Sequence, residues 1–491
     1  MDVGLDDGVV KLRNDLNRGT KYTALSYCWG KSASIFTLKT RNIRSLESSI
    51  PLPLLPATIQ DAIAITHSLG IRYIWIDCLC ILQDSQSDWE KEAAQMCDYY
   101  SNASITLAAS WAPSASHGLL GRRHNVSRVK DIHTTDVDGT INLMLAQRRD
   151  THDVAETVDD FGPISQRAWT LQEHVLSKRI AHFTRGEIIF ECRTHMISED
   201  GHQVGNEQES LLVDFAQEVS HHPDECWRNV LRWYSSRLLS YGKDRLPAIA
   251  GLAARYADAT GSQYVAGLWR ESLPNALVWS NATEFGPEKY PAILSGPSWS
   301  WASIQGAVCS QMTFHDHAEN SVRTLACVHD VQCCVPGQNP FGEVESGMLD
   351  ISGPALETIL QGGEQHDGWR YRLGFRLADL PDANIILDTF VQEFDLTTSG
   401  AVQAGVRRAS SPSSSIHAGV WCLWIFSAPR SKGARFDDDG PIDEVEIKDK
   451  LNGVLLARSF RDSDTFTRIG FVSMPAKGTL EMASGKRFKV V

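Results

Sequence analysis

The chain lacks any uninterrupted apolar run of about 18 residues, so no membrane-crossing helix is expected. It also lacks an excess of positive charge. Its 47 basic residues stand against 60 acidic ones, a net charge of −13, which argues against a general nucleic-acid or anionic-membrane binder. Neither a G-x-G-x-x-G turn nor a P-loop is present, so no Rossmann-type or nucleoside-triphosphate site is supported. The eleven cysteines are odd in number and scattered. Their only tight pairs, Cys78-Leu79-Cys80 and Cys333-Cys334, do not have the paired spacing of a zinc knuckle, so no metal site is expected. The opening residues, Met1 to Asp7, are acidic and carry no signal-peptide pattern. Free thiols without a secretory signal point to a reducing, cytoplasmic setting. Internal repeats and coiled-coil heptads are missing as well.

What is present is enough chain, 491 residues, for about three domains. Tyr22 to Gly30 reads as a strand ending in a glycine turn. A helix follows the prolines at 51, 53 and 56, with Thr58 and Asp61 placed to cap it and Gly70 placed to end it. Arg72 to Cys78 is a short β-rich run, expected to be a strand buried on both faces. A second helix spans 87–101, and Ser104 to Ala109 is a third strand. This alternation is the pattern of a parallel α/β sheet, where ligands collect at the carboxyl ends of strands. Lys130 to Ala146 reads as a hairpin about Asp138-Gly139, Ser165 to Leu176 as a helix, and Ile180 to Cys192 as a second hairpin. Residues 1–20 are weakly patterned. The expected division is an α/β domain over 1–204, a helical segment over 205–297 and a mainly β domain over 298–491. Ser399 to Ala418 is read as a mobile loop and Phe436 to Gly440 as the start of an acidic one.

The 87–101 helix carries the most informative pattern. Ser87 and Glu90 have the spacing of a capping box, which gives Glu90 a structural task. At about 100° per residue, Trp89, Ala93, Met96 and Tyr100 form one stripe. Glu92 falls between Met96 and Tyr99, on the side that faces protein. A carboxylate there needs a partner or a purpose. An ion pair is the structural alternative to a catalytic role.

Three motifs in order then resemble the fungal heterokaryon incompatibility (HET) domain. They are Tyr22-Thr23-Ala24-Leu25-Ser26-Tyr27-Cys28-Trp29-Gly30, then Trp75 to Asp84 with Asp88, Trp89 and Glu92, and Arg167-Ala168-Trp169-Thr170-Leu171-Gln172-Glu173. The resemblance covers about residues 20–195, with weaker similarity at Asp244 to Gly251 and Trp299 to Ser303. It implies a flavodoxin- or TIR-like parallel sheet with inserted β-hairpins, and a part in self/non-self recognition and programmed cell death. Some TIR domains cleave NAD at the nicotinamide–ribose bond, with a carboxylate a few residues after a Trp. Glu92 after Trp89 is similar, at a spacing of three rather than four. The resemblance therefore implies Glu92 as the catalytic residue. It implies Tyr27, Trp29, Asp77, Trp89, Arg167, Trp169, Gln172 and Glu173 as substrate-binding residues. NAD would be the substrate, and no cofactor is required.

Two other readings stand beside it. One is a non-catalytic module that binds a protein partner or itself. The other is a small-molecule enzyme using Cys28, Cys78 or Cys80 as nucleophile. A catalytic thiol needs a base within reach, and His67 is the one histidine between the first two motifs.

Overall fold

The computed structural model describes residues 1–5, 8–17, 19–30, 35–120, 130–136, 139–145, 162–201, 203–204, 215–282, 294, 296–310, 322–367, 370–388, 390–395, 404–409, 415–429, 449–459, 462, 464–476 and 479–491. They fall into two compact units, Met1–Glu218 and Val219–Val491.

The first unit is built on a mixed six-stranded sheet. Its strands are β1 (Tyr22–Ser26), β2 (Tyr73–Trp75), β3 (Ile105–Ala108), β6 (Arg179–Phe183), β7 (Ile188–Cys192) and β8 (Met196–Ser198), in the order β2-β1-β3-β6-β7-β8. The neighbours β2-β1, β1-β3 and β3-β6 are parallel; β6-β7 and β7-β8 are antiparallel. The three expected strands are thus adjacent and parallel, and the second hairpin extends their sheet. The other hairpin, β4 (Lys130–Asp136) with β5 (Gly139–Leu145), forms a sheet of its own. Asp138 and Ala146 lie outside the described residues.

Helices α1 (Ala57–Ser68), α2 (Gln86–Asn102) and α3 (Ala168–Leu176) flank the sheet. On one side, Ile59, Ala62 and Ile63 of α1 join Leu25, Tyr27, Ile74, Ile76 and Leu107 in the largest apolar cluster of this unit. Each such side chain, fully buried, stabilises by about 1.5–3 kcal/mol. Polar groups are paired within this packing: the Thr23 and Thr66 hydroxyls lie 2.7 Å apart. Other residues lean from β1 toward α2 and α3. Ser26 reaches Glu173 of α3, and Tyr100 of α2 reaches back to the Leu25 carbonyl.

Several expectations need correction. The strand read over 72–78 is only three residues long and lies at the sheet edge, because Asp77–Cys80 turns into a short helix. Its outer side is covered by the weakly patterned N-terminal residues. Asp2 bridges Tyr73, the Val3 amide donates to Arg72, and the Ile74 amide donates to Met1. Met1, Val3, Val10 and Leu12 are core residues. Thr58 and Asp61 do not cap α1; they accept amides of Gly118, Leu119 and Leu120 and pin the loop after β3. The cap of α2 is Ser85 rather than Ser87, accepting from the Asp88 amide at 3.2 Å. Asp88 in turn accepts the Leu82 amide at 2.8 Å, so Asp88, not Glu90, completes the cap. Glu90 accepts from the Gln86 side chain.

The second unit begins with helices at Phe215–His221, Pro223–Ser235 and Ala250–Thr260, the first of which crosses the unit boundary. It is β-rich beyond them. Ser415–Pro429, Asp449–Arg458, Phe466–Pro475, Ser484–Val490 and Ser346–Asp367 pair in turn, and the last pairs back to the first. Val420, Trp424, Leu455, Ile469 and Val472 fill the interior. Arg468 is buried beside them, bonded to Asp388 and to the carbonyls of Leu277 and Trp279. The loop read over Ser399–Ala418 contains strand at Ala404–Ala409 and from Ser415 onward. The acidic stretch at 436–440 lies outside the described residues.

Candidate functional site

The carboxyl ends of β1 and β2 gather the site. After Ser26 the chain continues through Tyr27, Cys28 and Trp29 and turns at Gly30, whose φ of +84° suits glycine. A Cβ there would lie 2.5 Å from that of Ser114, so the turn also needs the missing side chain. The turn brings the Trp29 indole N–H to Asp77 Oδ2 at 2.7 Å. Asp77 begins the short helix after β2, and its Oδ1 accepts the Cys78 amide at 2.6 Å. Arg167 precedes the first turn of α3 and donates from Nη1 to the Tyr27 carbonyl at 2.7 Å. Two turns into α3, Glu173 is buried and accepts the Ser26 hydroxyl at 2.5 Å.

Charge in this cluster is finely opposed. Burial raises the Asp77 carboxyl above the ordinary carboxylate range, while the Trp29 N–H and the Arg167 cation pull it down. Burial pushes Glu173 up to about 7, with Asp77 adding to the rise and Ser26, Arg167 and Tyr100 resisting it. Arg167 therefore sits in the field of two carboxyl groups, one half-buried and one enclosed. Burial also lifts the Cys28 and Cys78 thiols above the usual range, which disfavours either as a thiolate nucleophile. Trp29, Asp77 and Arg167 keep partial solvent exposure, whereas Ser26, Tyr100 and Glu173 lie behind them.

Glu92 belongs to a neighbouring set on α2. Its carboxylate accepts the Tyr99 hydroxyl at 2.5 Å, and Lys91 is 3.9 Å away. Tyr99 stacks on Trp75 with ring centroids 5.0 Å apart. Trp89, one turn before Glu92, meets Trp169 of α3 edge to face at 6.1 Å. The expected residues thus fall into three contact sets: Tyr27, Trp29, Asp77, Arg167 and Glu173; Trp89 with Trp169; and Glu92 with Tyr99. Gln172 is fully buried. Arg167 and Glu173 meet the end of β1 through Tyr27 and Ser26, and both lie within the electrostatic reach of Asp77.

Sequence reasoning missed Ser26 as a partner for Glu173, although alternation along β1 places it on the side of Ala24. It also missed a cluster formed by His174, His182 and Glu191, whose ligand atoms all lie within 4.8 Å of one another. The Nε2 atoms of His174 and His182 are 2.7 and 2.8 Å from one oxygen, Glu191 Oε2. Burial opposes the charge on Glu191, but the two imidazoles outweigh it and hold the carboxyl far below its usual range. Spacings of eight and nine residues, across a helix and two strands, match no local ligand motif. No helix among the described residues is long and apolar enough to cross a membrane.

The chain matches the family model for the heterokaryon incompatibility protein (HET) over residues 22–173. No curated protein and no solved structure matches the chain. The matched span starts at the first residue of β1, ends on Glu173 and holds all of the strand-end cluster. Over residues 22–173 the chain is therefore similar to the heterokaryon incompatibility (HET) family.

Proposed function

We propose that this heterokaryon-incompatibility-type protein is an effector of self/non-self recognition and programmed cell death. Its HET domain binds a nicotinamide nucleotide over the carboxyl ends of β1 and β2 and cleaves the nicotinamide–ribose bond. The observation that carries this reading is the meeting of half-open Trp29, Asp77 and Arg167 at those strand ends, where open α/β sheets hold ligands. The order β2-β1-β3-β6 of the parallel strands supports the TIR-like relation. Arg167 supplies a forked cation suited to a phosphate, Asp77 an acceptor for ribose hydroxyls, and the tryptophans flat apolar faces.

Glu92 is the proposed catalytic carboxylate. It keeps 13% of its side chain exposed and is oriented by Tyr99, whereas Glu173 is enclosed and committed to Ser26. As the C–N bond to nicotinamide breaks, positive charge grows on the ribose, and a facing carboxylate stabilises it. Water then adds at the same carbon, giving ADP-ribose, nicotinamide and a proton. The test is nicotinamide release from NAD by the purified full chain, beside Glu92→Gln and Glu173→Gln.

One observation favours a second reading, a non-catalytic interaction module. Asp77, Glu92, Arg167 and Glu173 all have hydrogen-bond partners within the protein. A folded chain that binds NAD neither as substrate nor as ligand supports that reading.

A further inference from the structure

We propose that His174, His182 and Glu191 form a binding site for one divalent metal ion of the zinc class, tying α3 to the β6–β7 hairpin. The site lies just beyond the matched HET span and stands apart from the nucleotide reading.

The three residues come from three elements and converge on one point. His174 is in the last turn of α3, His182 on β6 and Glu191 on β7. Their side chains are 12%, 3% and 0% exposed. Two imidazole nitrogens and a carboxylate oxygen are a donor set used by zinc and its neighbours, and three protein ligands leave a fourth position open. The partial exposure of His174 gives that position a way in.

Hydrogen bonding behind His182 sharpens the case. The Ser110 hydroxyl lies 3.2 Å from His182 Nδ1 and 3.4 Å from the Ala108 carbonyl, so it can donate to the carbonyl while accepting from Nδ1–H. A neutral His182 held that way turns the lone pair of Nε2 toward Glu191 Oε2 at 2.8 Å. Two acceptors so close need a cation between them, either a proton or a metal. An acceptor that fixes the ring from behind is the usual support of a metal-bound histidine, and the Ser110 hydroxyl stands in that position. Metal–ligand bonds of about 2.0–2.1 Å put tetrahedral ligand atoms about 3.3 Å apart. Each imidazole nitrogen therefore needs to move about half an ångström away from Glu191 Oε2.

The experiment uses the full chain, stripped with a chelator and titrated with zinc chloride, with bound metal and unfolding temperature as readouts. The eleven cysteines offer rival ligands, so the informative comparison is with His174→Gln, the most exposed of the three positions, and with Cys192→Ser beside the site. The proposal expects wild type and Cys192→Ser to hold one zinc equivalent that His174→Gln lacks or binds at least tenfold more weakly. It expects zinc to raise the unfolding temperature of the first two only. Cobalt supplies a measurement independent of any variant: nitrogen and oxygen ligands give no strong thiolate-to-cobalt band in the near ultraviolet. Unchanged zinc content and stabilisation in His174→Gln, no zinc response in wild type, or a thiolate band on the tightest cobalt would each overturn the proposal.

Discussion

Replacing Arg167 with methionine tests whether the strand-end cluster is one electrostatic unit. The substitution removes a charged donor from the Tyr27 carbonyl, a bond at 2.7 Å. Hydrogen bonds of that kind contribute about 1.5–3 kcal/mol. It also withdraws the cation that opposes the burial of Asp77 and Glu173. Arg167 is partly exposed, so solvent screening holds this second contribution to about 1 kcal/mol. The expected loss for Arg167→Met is about 2–4 kcal/mol. Asp77→Asn alone turns an acceptor into a donor facing either the Trp29 or the Cys78 N–H, at about 1–3 kcal/mol. In the Asp77→Asn background Arg167 has one less carboxylate to balance, so its removal costs less there and the combined loss falls short of the sum by about 1 kcal/mol. A chain with two units need not unfold in one step. The cycle is therefore read from hydrogen exchange of the β1 amides, Thr23 to Ser26, which reports local stability. Losses that add to within about 0.3–0.5 kcal/mol would refute the reasoning.

Three further outcomes follow from the same structure. Trp169 is half-buried and meets Trp89 edge to face, so a Trp89→Ala/Trp169→Ala cycle measured by the same exchange should give about 0.5–1.5 kcal/mol of coupling. Burial raises the Asp77 carboxyl, so the folded state holds that proton more tightly than the unfolded chain does. Its contribution is complete below the unfolded value of about 3.9 and is lost as pH rises through the higher folded value. The stability gap between wild type and Asp77→Asn should therefore narrow as pH rises from about 4 in thermal melts; a widening gap contradicts it. In the second unit, Arg468→Met leaves Asp388 buried without its cation and should cost about 3–5 kcal/mol, read from exchange of the Asp449–Arg458 amides.

The parallel core was legible because strand–helix alternation and short connections leave few topologies open. The motif residues were also legible as a set, since Tyr27, Trp29, Asp77, Arg167 and Glu173 do meet. Which groups pair was harder to read. Thr58 and Asp61 have cap spacing, yet they serve a loop some 60 residues away, and spacing cannot distinguish a local acceptor from a distant one. The N-terminal residues looked unpatterned because they cover an edge with single bridges rather than a full strand, so Met1, Val3, Val10 and Leu12 lack a period. The His174, His182 and Glu191 cluster depends on the register of β6 with β7, which pairs Ile180 with Glu191 and brings His182 alongside. A one-residue slip would turn Glu191 to the other face.

The central claim is that the HET domain cleaves a nicotinamide nucleotide through Glu92. The direct measurement is chromatographic detection of nicotinamide after the purified full chain is incubated with NAD. The account predicts release by wild type, none by a folded Glu92→Gln, and retained release by Glu90→Gln, whose carboxylate contacts only the helix surface at Gln86 among its hydrogen bonds described above. No release by folded wild type, or full release by folded Glu92→Gln, would contradict it.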